Sequence, residues 1–423
     1  DTDRSRGLGD VYKRQEKFQT GRDGRRNQRL IKEIFMIKRY VFGTPLETDA
    51  VLNKPAACRD KPPYLGKCEN ALIYKMDEED IVYGLGENVR GMNKRGWIYE
   101  SNCTDDPVHL EETKSLYGAH NFILVSGEKQ FGLFLDTPGK VVFDIGYTNS
   151  SQLKITLEDG DYELYLIDGG TPDDIITWFR ELIGPSYLPP KWAFGFGQSR
   201  WSYASSEEVR KVAARYRENH IPLDSIYLDI DYMERYKDFT IDREAFPDFE
   251  QLAEDMKQQG IHLVPIIDGG VKIEDGYDVY EEGVKNGFFC KDEDGDDFVV
   301  GVWPGKCHFP DMLDEKARAW FGDKYKFLLD KGIEGFWNDM NEPAIFYSEK
   351  RLKKVFEKLE EYRKMNLDVN TFFEFQDLVS TISKNPEDYR SFYHTYKGKR
   401  IRHDKVHNLS LIHISEPTRP ISI

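Results

Sequence analysis

Acidic and aromatic side chains recur where four apolar segments of the sequence end. They are Trp201, Asp229 with Asp231, Asp268, and the run Trp337–Glu342. A carboxylate can attack the anomeric carbon of a sugar while a second, protonated carboxyl donates to the leaving oxygen. The residue types therefore allow acid-assisted cleavage of a glycosidic bond.

Tryptophan residues support the same interpretation. A pyranose presents apolar C–H faces that pack on indole rings, and hydroxyls that bond to carboxylates. Trp201, Trp303 and Trp337 could form the walls of such a pocket. Structural alternatives stay open at this point: Asp231 as an acid that bonds backbone at a strand end, Trp303 as loop packing, and Asp339 as a helix cap.

The segments that carry these residues alternate between strand and helix patterns after Trp192. The predicted strands are AFGFG (193–197, buried), IYLDI (226–230), HLVPIID (262–268) and GFWND (335–339). The predicted helices are 205–219, 248–260 and 316–332. This alternation is typical of a (β/α) barrel, in which the carboxyl ends of the strands form one rim and carry the chemistry. Four of the eight units are visible, and the charged run after Phe346 indicates a helical insertion behind strand four.

The preceding region has a different pattern, with short runs of β-forming residues separated by turn residues. The runs are 71–76, 81–87, 122–127, 131–136, 140–146, 152–158 and 162–168. Many short strands at this spacing predict an antiparallel sandwich. A helix is then predicted from the N-cap Thr171 to Gly184, with one apolar face. That face consists of Ile175, Trp178, Phe179 and Leu182.

The predicted fold class is therefore α/β plus all-β, with four segments. An N-terminal β-sandwich occupies 36–185, and the first half of a (β/α)8 TIM barrel occupies 186–409. Residues 1–35 hold ten Lys/Arg against six Asp/Glu and lack an apolar period. We expect them to be a non-native or disordered leader, and residues 410–423 to be a non-native tail.

Composition excludes several other function classes. The 423 residues are 39% hydrophobic and 13% aromatic, and their net charge of −16 disfavours nucleic acid as a partner. No apolar run reaches the roughly 18 residues that would span a membrane. The five cysteines form no CxxC pair, which favours a cytoplasmic protein. We expect no cofactor and no metal, because nucleotide, flavin and metal motifs are missing from the sequence.

Several motifs together resemble glycoside hydrolase family 31, and in particular its bacterial α-glucosidases. They are YGLGEN (83–88), LYGAHNF (116–122), GFGQSRW (195–201), LDIDYM (228–233), DFT (238–240), FPDF (246–249), VWPG (302–305), HFPDM (308–312) and GFWNDMNEP (335–343). The resemblance extends over roughly 36–409. It implies a β-sandwich, a catalytic barrel with insertions, and C-terminal β domains.

The resemblance also implies roles for individual residues. Asp339 matches the catalytic nucleophile, which forms a covalent intermediate in a retaining mechanism. Asp229 matches an acid that holds sugar hydroxyls, and Asp105 a loop acid that reaches over the pocket. Trp201 matches an aromatic residue near the entry. The residues that match the lining of the sugar subsite are Ile230, Ile266, Trp303, Trp337 and Met340.

One part of the family pattern is not found. The general acid/base aspartate of the family, with its accompanying arginine and histidine, is expected downstream of KVHNL (405–409). We therefore expect this chain to be a truncated fragment that is close to inactive by itself.

The predicted function of the parent protein is an exo-acting α-glucosidase that releases glucose from short α-linked oligosaccharides. The alternatives are an α-xylosidase or another family member, and a non-catalytic sugar-binding relative. The expected partner is a small oligosaccharide substrate, without nucleic acid or membrane. A homo-oligomer stays possible, and the linkage preference is left open.

Overall fold

A computed structural model describes residues 36–365, 368–383 and 385–409. The predicted leader (1–35) and tail (410–423) lie outside these described residues. Contacts between residues divide the described chain into two compact units. The sandwich unit holds 36–100, 120–137 and 141–185, and the barrel unit holds 101–119, 138–140 and 186–409. The predicted domain limits stay predictions, although this division assigns two short segments, 101–119 and 138–140, to the barrel unit.

The sandwich unit is built from ten strands. They are β1 (Ile37–Phe42), β2 (Leu65–Cys68), β3 (Ala71–Lys75), β4 (Ile81–Gly84), β5 (Trp97–Ser101), β6 (Phe122–Ser126), β7 (Gln130–Asp136), β8 (Val141–Ile145), β9 (Gln152–Leu157) and β10 (Tyr162–Asp168). One sheet has the order β1-β10-β7-β6-β4 with antiparallel pairing, and the other has the order β2-β3-β9-β8-β5. Alternate residues of β8, namely Val141, Phe143 and Ile145, are buried in the core. The predicted antiparallel sandwich is confirmed.

Helix α1 (Pro172–Ile183) follows the last strand and covers part of one sheet. The Thr171 side chain accepts from the Asp174 backbone N–H, and the Asp174 side chain reaches back to the Thr171 N–H, which completes a capping box. Phe179 stacks on Phe122 with ring centroids 3.9 Å apart. The predicted cap and apolar face are confirmed, with Ile175, Phe179 and Leu182 buried.

The barrel unit contains the remaining strands and helices. The strands are β11 (Gly197–Gln198), β12 (Ser225–Leu228), β13 (His262–Asp268), β14 (Val271–Lys272), β15 (Lys291–Asp292), β16 (Val300–Val302), β17 (Gly305–His308), β18 (Trp337–Asp339), β19 (Tyr347–Ser348), β20 (Phe392–Tyr396) and β21 (Lys399–Arg402). The helices are α2 (Ser206–Glu218), α3 (Phe249–Gln258), α4 (Asp278–Asn286), α5 (Glu315–Lys324), α6 (Lys326–Leu329), α7 (Glu349–Tyr362) and α8 (Val369–Ser380). None of the helices in the described ranges combines the length and apolar character needed to cross a membrane.

Four strands form the parallel sheet of the barrel, in the order β11-β12-β13-β18. In this register Asp268 at the end of β13 pairs with Asp339 at the end of β18. Helices α2, α3 and α5 contribute buried residues to the core around the sheet, including Val209, Leu252 and Trp320. The strand order therefore places two carboxylates level with each other at one rim.

Two details of the predicted barrel differ from the structure. The predicted buried strand 193–197 is wrong: 191–194 form a 3₁₀ turn, β11 is two residues long, and Phe194 is 67% exposed. β11 pairs with β12 alone, so its residues lack the cover that a central strand receives. The helical insertion after strand four is confirmed as α7 and α8, but the hairpin β20–β21 was not predicted.

Candidate active site

A cavity of about 640 Å³ opens at the carboxyl ends of the barrel strands. Its volume lies in the usual range for a small-molecule site. Acids, amides and aromatic rings share its wall, which is the mixture that a sugar requires. The lining residues are Asp105, Pro107, Tyr117, Trp303, Trp337, Asn338, Asp339, Met340, Asn341, Glu342 and Phe346.

Asp339 enters this cavity from the last position of β18. Burial raises the pKa of its carboxyl, the Met340 backbone N–H opposes that effect, and the negative charges of Asp105 and Asp229 add to it. Met340 has φ of +56°, a left-handed conformation that is uncommon for a side chain other than glycine. The backbone therefore bends sharply straight after Asp339, at the point where the chain must leave the strand and continue along the cavity wall.

The structure brings Asp105 and Asp229 into electrostatic reach of Asp339. Asp229 follows β12, and its Oδ1 accepts the Ile230 backbone N–H at 2.8 Å. Burial raises the pKa of Asp229, and Asp231 adds to this effect. Asp105 lines the cavity itself, whereas Asp229 is not among the lining residues.

The predicted aromatic and aliphatic residues separate into two groups. Trp303, Trp337 and Met340 line the cavity. Trp201 does not, but its ring lies 5.6 Å from that of Trp303 and is 69% exposed, as a residue at an entry would be. Ile230 and Ile266 are buried in the barrel core and are not among the lining residues, so their contact with a ligand stays a prediction.

Next to Asp339 lies a pair of buried acids: Asp268, which the sequence places at the rim without a specific role, and Asp238, which was not singled out. Asp268 is 2% exposed, and neither oxygen of its carboxyl has a hydrogen-bond partner among the described residues. The Asp268 backbone N–H donates to Asp238 Oδ1 at 3.0 Å. Burial raises the pKa of Asp238, and burial with the nearby charges of Asp238, Asp339 and Asp229 raises that of Asp268. Both carboxyls of this pair therefore hold a proton to higher pH than an ordinary aspartate does.

Several polar residues of the cavity were also missed. Asn338 Oδ1 accepts the Tyr325 hydroxyl at 2.6 Å, which fixes the amide beside Asp339. Burial raises the pKa of Tyr117, and the charges of Asp105, Glu342 and Asp339 add to this effect. Asn338 and Glu342 lie in the acidic run Trp337–Glu342, and Tyr117 lies in the motif LYGAHNF (116–122), so the sequence contained the signal although none of the three was given a role.

Elsewhere in the described residues, Cys290, Asp311 and His394 bring donor atoms within 4.8 Å of one another. Such a set could hold a metal by composition. However, His394 Nδ1 lies 2.9 Å from Asp311 Oδ1, so these two groups are already at hydrogen-bond distance from each other. We assign no metal to these residues.

Comparisons with known proteins match both domains of this chain to one family. Residues 186–420 match the TIM-barrel domain of the glycosyl hydrolases family 31, and residues 15–144 match the N-terminal galactose mutarotase-like domain of glycosyl hydrolase 31. Alpha-glucosidase 2 of Bacillus thermoamyloliquefaciens is 44% identical over 279 residues, which are 66% of this chain and 35% of that protein. An alpha-glucosidase of Saccharolobus solfataricus is 30% identical over 336 residues, covering 79% and 46% of the two chains.

Solved structures give the same fold. A Flavobacterium johnsoniae GH31 dextranase complexed with glucose superposes with a TM-score of 0.67 at 23% identity, covering 82% of this chain and 38% of the dextranase. The glucosidase II alpha subunit superposes with a TM-score of 0.60 at 26% identity, covering 65% and 33%. The chain thus spans between a third and a half of the length of these relatives.

The sandwich, the parallel sheet with its acidic rim and the two domain matches lead to one assignment. The chain belongs to family 31 of the glycoside hydrolases, with a mutarotase-like β-sandwich domain and a TIM-barrel domain.

Proposed function

We propose that the protein to which this chain belongs is a retaining, exo-acting α-glucosidase that releases glucose from short α-linked oligosaccharides. The observation that supports it most is Asp339, held at the end of β18 in a cavity of about 640 Å³ that Trp303 and Trp337 also line. Relatives at 44% and 30% identity that carry the name alpha-glucosidase support the choice of substrate.

In this proposal Asp339 is the nucleophile. Its carboxylate forms a bond to C1 of the sugar while the bond from C1 to the leaving oxygen breaks, and water later attacks C1 to release Asp339. Positive charge develops on the sugar ring between these states. The acids Asp105 and Asp229, whose charges already act on Asp339, would stabilise that positive charge and favour the transition state over the ground state.

The remaining site residues would hold the substrate. Asp229 and Asp105 are proposed to accept hydrogen bonds from sugar hydroxyls, and Trp303 and Trp337 to pack on the ring faces. Met340, Ile230 and Ile266 are proposed to complete the subsite. Trp201 is proposed to stand at the entry, where its exposed ring could contact the next sugar.

General acid assistance is assigned to no residue of this chain. Retention needs a second carboxyl about 5–5.5 Å from the nucleophile, and its absence typically costs about 10²–10⁴ in rate. We therefore expect the chain on its own to turn over an aryl α-glucoside at least about 10²–10⁴-fold more slowly than the protein to which it belongs.

An activated sugar tests the nucleophile directly, because fluoride leaves without a proton donor. We expect 5-fluoro-α-glucosyl fluoride to leave a glycosyl ester on Asp339, seen as a mass increase of the peptide that contains 337–342. Asp339→Asn should abolish the adduct. Asp231→Asn, which changes an acid outside the cavity lining, should keep it.

Other results would change the proposal. An adduct on a different acid would reassign the nucleophile, and no adduct with normal folding would remove the covalent mechanism. The corresponding xylosyl fluoride, used side by side, measures whether the subsite requires the C6 hydroxymethyl group.

A further inference from the structure

Three histidines form a continuous hydrogen-bonded chain within the barrel unit. His394 Nδ1 lies 2.9 Å from Asp311 Oδ1, and His394 Nε2 lies 2.8 Å from His403 Nδ1. His403 Nε2 lies 2.8 Å from His407 Nδ1, and His407 Nε2 lies 2.6 Å from the Cys103 carbonyl oxygen. We call Asp311, His394, His403 and His407 the histidine relay. His403 and His407 are buried, and the side chain of His394 is nearly so.

The number of protons in the relay follows from its two ends. The Cys103 carbonyl only accepts, so His407 Nε2 must donate to it. Neutral imidazoles then each donate through Nε2 and accept at Nδ1, which leaves the Nδ1 lone pair of His394 facing the Asp311 carboxylate. Four contacts need four protons, whereas three neutral histidines supply three. The relay is complete only if it holds one further proton, at the contact between His394 and Asp311.

The surroundings place this further proton on His394. Asp311 Oδ2 accepts the Thr395 backbone N–H at 2.6 Å, and Oδ1 accepts the Leu313 N–H at 3.3 Å, as suits a carboxylate. Burial lowers the pKa of both His403 and His407. The two inner rings are therefore neutral, and the charge pairs with Asp311.

The other end of the relay holds the loop that leads to the cavity. His407 donates to the Cys103 carbonyl, and the Cys103 N–H donates to Asn408 Oδ1 at 3.1 Å, so both polar groups of this residue's backbone are held. Asn408 Nδ2 also donates to the carbonyls of Ser101 and Gly139 at 3.0 and 3.1 Å. Asp105, two residues after Cys103, lines the cavity.

A second contact links the relay to the loop that follows Asp339. His394 and His403 line a cavity of about 30 Å³ together with Asn341 and Pro343. Asn341 also lines the large cavity beside Asp339. The relay therefore adjoins both loops that carry acids of the candidate site.

We propose that the relay carries one proton more than three neutral imidazoles hold, and that through His407 and Asn408 it fixes the loop that brings Asp105 to the cavity. This inference rests on the function proposed above. His394, His403, His407 and Asn408 are positioning residues in it, since none of them lines the sugar cavity.

Loss of the further proton leaves one contact of the relay without a hydrogen, whichever tautomers the rings adopt. If all three rings turn their N–H toward Asp311, the empty contact falls at the Cys103 carbonyl and the loop loses a bond. Four other titratable groups face the relay. The Cys290 sulfur is 3.5 Å from His394 Nδ1, and the Tyr389 ring contacts the rings of His403 and His407. The charges of Asp404 and Lys140 act on His407. Asp404 and Lys140 have opposite effects on the pKa of His407, and Asp311 is the acid in direct contact with the relay's first ring.

Hydrogen exchange of the full chain tests the proposal without any sugar. Exchange of 101–119, corrected for the intrinsic effect of pH, is expected to be about tenfold faster at about pH 9 than at about pH 5.5, as for the loss of one hydrogen bond. Peptides from β13 serve as the folding control.

Two variants sharpen the test. His403→Phe keeps a ring but breaks the relay, so 101–119 should exchange fast at both pH values. Asp311→Asn supplies an amide N–H to His394 Nδ1 in place of the proton, at the cost of the longer Leu313 contact. It should keep 101–119 protected and remove the pH dependence. His220→Asn changes an exposed histidine outside the relay and should behave as the unmodified chain.

Specific outcomes overturn the proposal. A pH dependence that survives in Asp311→Asn means that the proton lies elsewhere, and unchanged protection in a folded His403→Phe means that the relay does not hold the loop. If His403→Phe does not fold, the pH dependence of exchange in Asp311→Asn is sufficient to test the proposal. The fluoride adduct on Asp339 is read separately, so failure of the relay and failure of the proposed function are distinguishable.

Discussion

Two buried acids, one in each unit, show opposite ways of keeping a carboxyl away from water. Glu163 of the sandwich unit is surrounded by donors: Arg39 contacts it at 3.1 and 2.5 Å, the Tyr165 hydroxyl donates to it, and Lys54 lies 3.5 Å away. Asp268 of the barrel unit has no hydrogen-bond partner for either oxygen among the described residues.

The electrostatic result follows from these neighbours. Burial alone would raise the pKa of Glu163, but its hydrogen bonds with Arg39 and Tyr165 and the charge of Lys54 hold it below its ordinary value. Burial and the like charges of Asp238, Asp339 and Asp229 raise that of Asp268. Glu163 is thus a satisfied structural acid. Asp268 belongs to a cluster of acids that is costly in the absence of a ligand, which is typical of functional sites.

Removal of the cation beside Glu163 should give the largest effect. Arg39→Met leaves a buried carboxylate with Lys54 and Tyr165 alone, and we expect a loss of about 3 kcal/mol of stability in the sandwich unit. The urea dependence of hydrogen exchange in β10 measures it, because it reports on this unit separately. Lys38→Met on the same strand removes a partly exposed ion pair, in which Lys38 Nζ lies 3.8 Å from Asp168 Oδ2. It should change stability by less than about 1 kcal/mol. Equal effects of the two variants would contradict the distinction.

Neutralising Asp268 should have the opposite sign. Because the pKa of Asp268 is raised, the folded barrel unit binds more protons than the unfolded chain between the ordinary and the raised value, so its stability falls as pH rises through that window. Asp268→Asn should stabilise the barrel unit by about 2 kcal/mol at about pH 8 and make little difference at about pH 4. Urea-dependent exchange of β13 measures this. Asp275→Asn, an exposed acid, is the control, and a lower stability of Asp268→Asn at about pH 8 would show that a partner had been overlooked.

The position of Asp339 at the rim was predictable from simple chain geometry. Asp339 directly follows an apolar strand pattern, and parallel strands carry their ends to one rim, so its position needed no knowledge of distant contacts. The sandwich was predictable for a similarly local reason, since short runs of β-forming residues are separated by turn residues.

The residues that were missed depend on long-range contacts. Asp238 follows a pair of 3₁₀ turns, and its contact with Asp268 joins residues 30 positions apart. His394, His403 and His407 meet only because hairpin β20–β21 and the following turn fold back together. That hairpin did carry a local signal, the glycine at 398. The structure shows a two-residue turn there, with positive φ at Lys397 and Gly398. The buried strand predicted at 193–197 was wrong for a related reason. An apolar run in the sequence does not reveal whether other elements of the fold cover it.

Neutralising the proposed nucleophile should give the smallest change. Asp339 is half-buried and keeps the Met340 backbone N–H as a donor, so its removal relieves only part of the repulsion among Asp105, Asp229 and Asp268. We expect Asp339→Asn to stabilise the barrel unit by about 1 kcal/mol near neutral pH, as is common when a functional acid is removed. Exchange of β13 in urea is the measurement, and Asp339→Glu, which keeps the charge, should show no such gain. If Asp339→Asn instead lowered stability, the carboxylate would be part of a satisfied network like that of Glu163, and the contrast between the two units would not extend to the cavity.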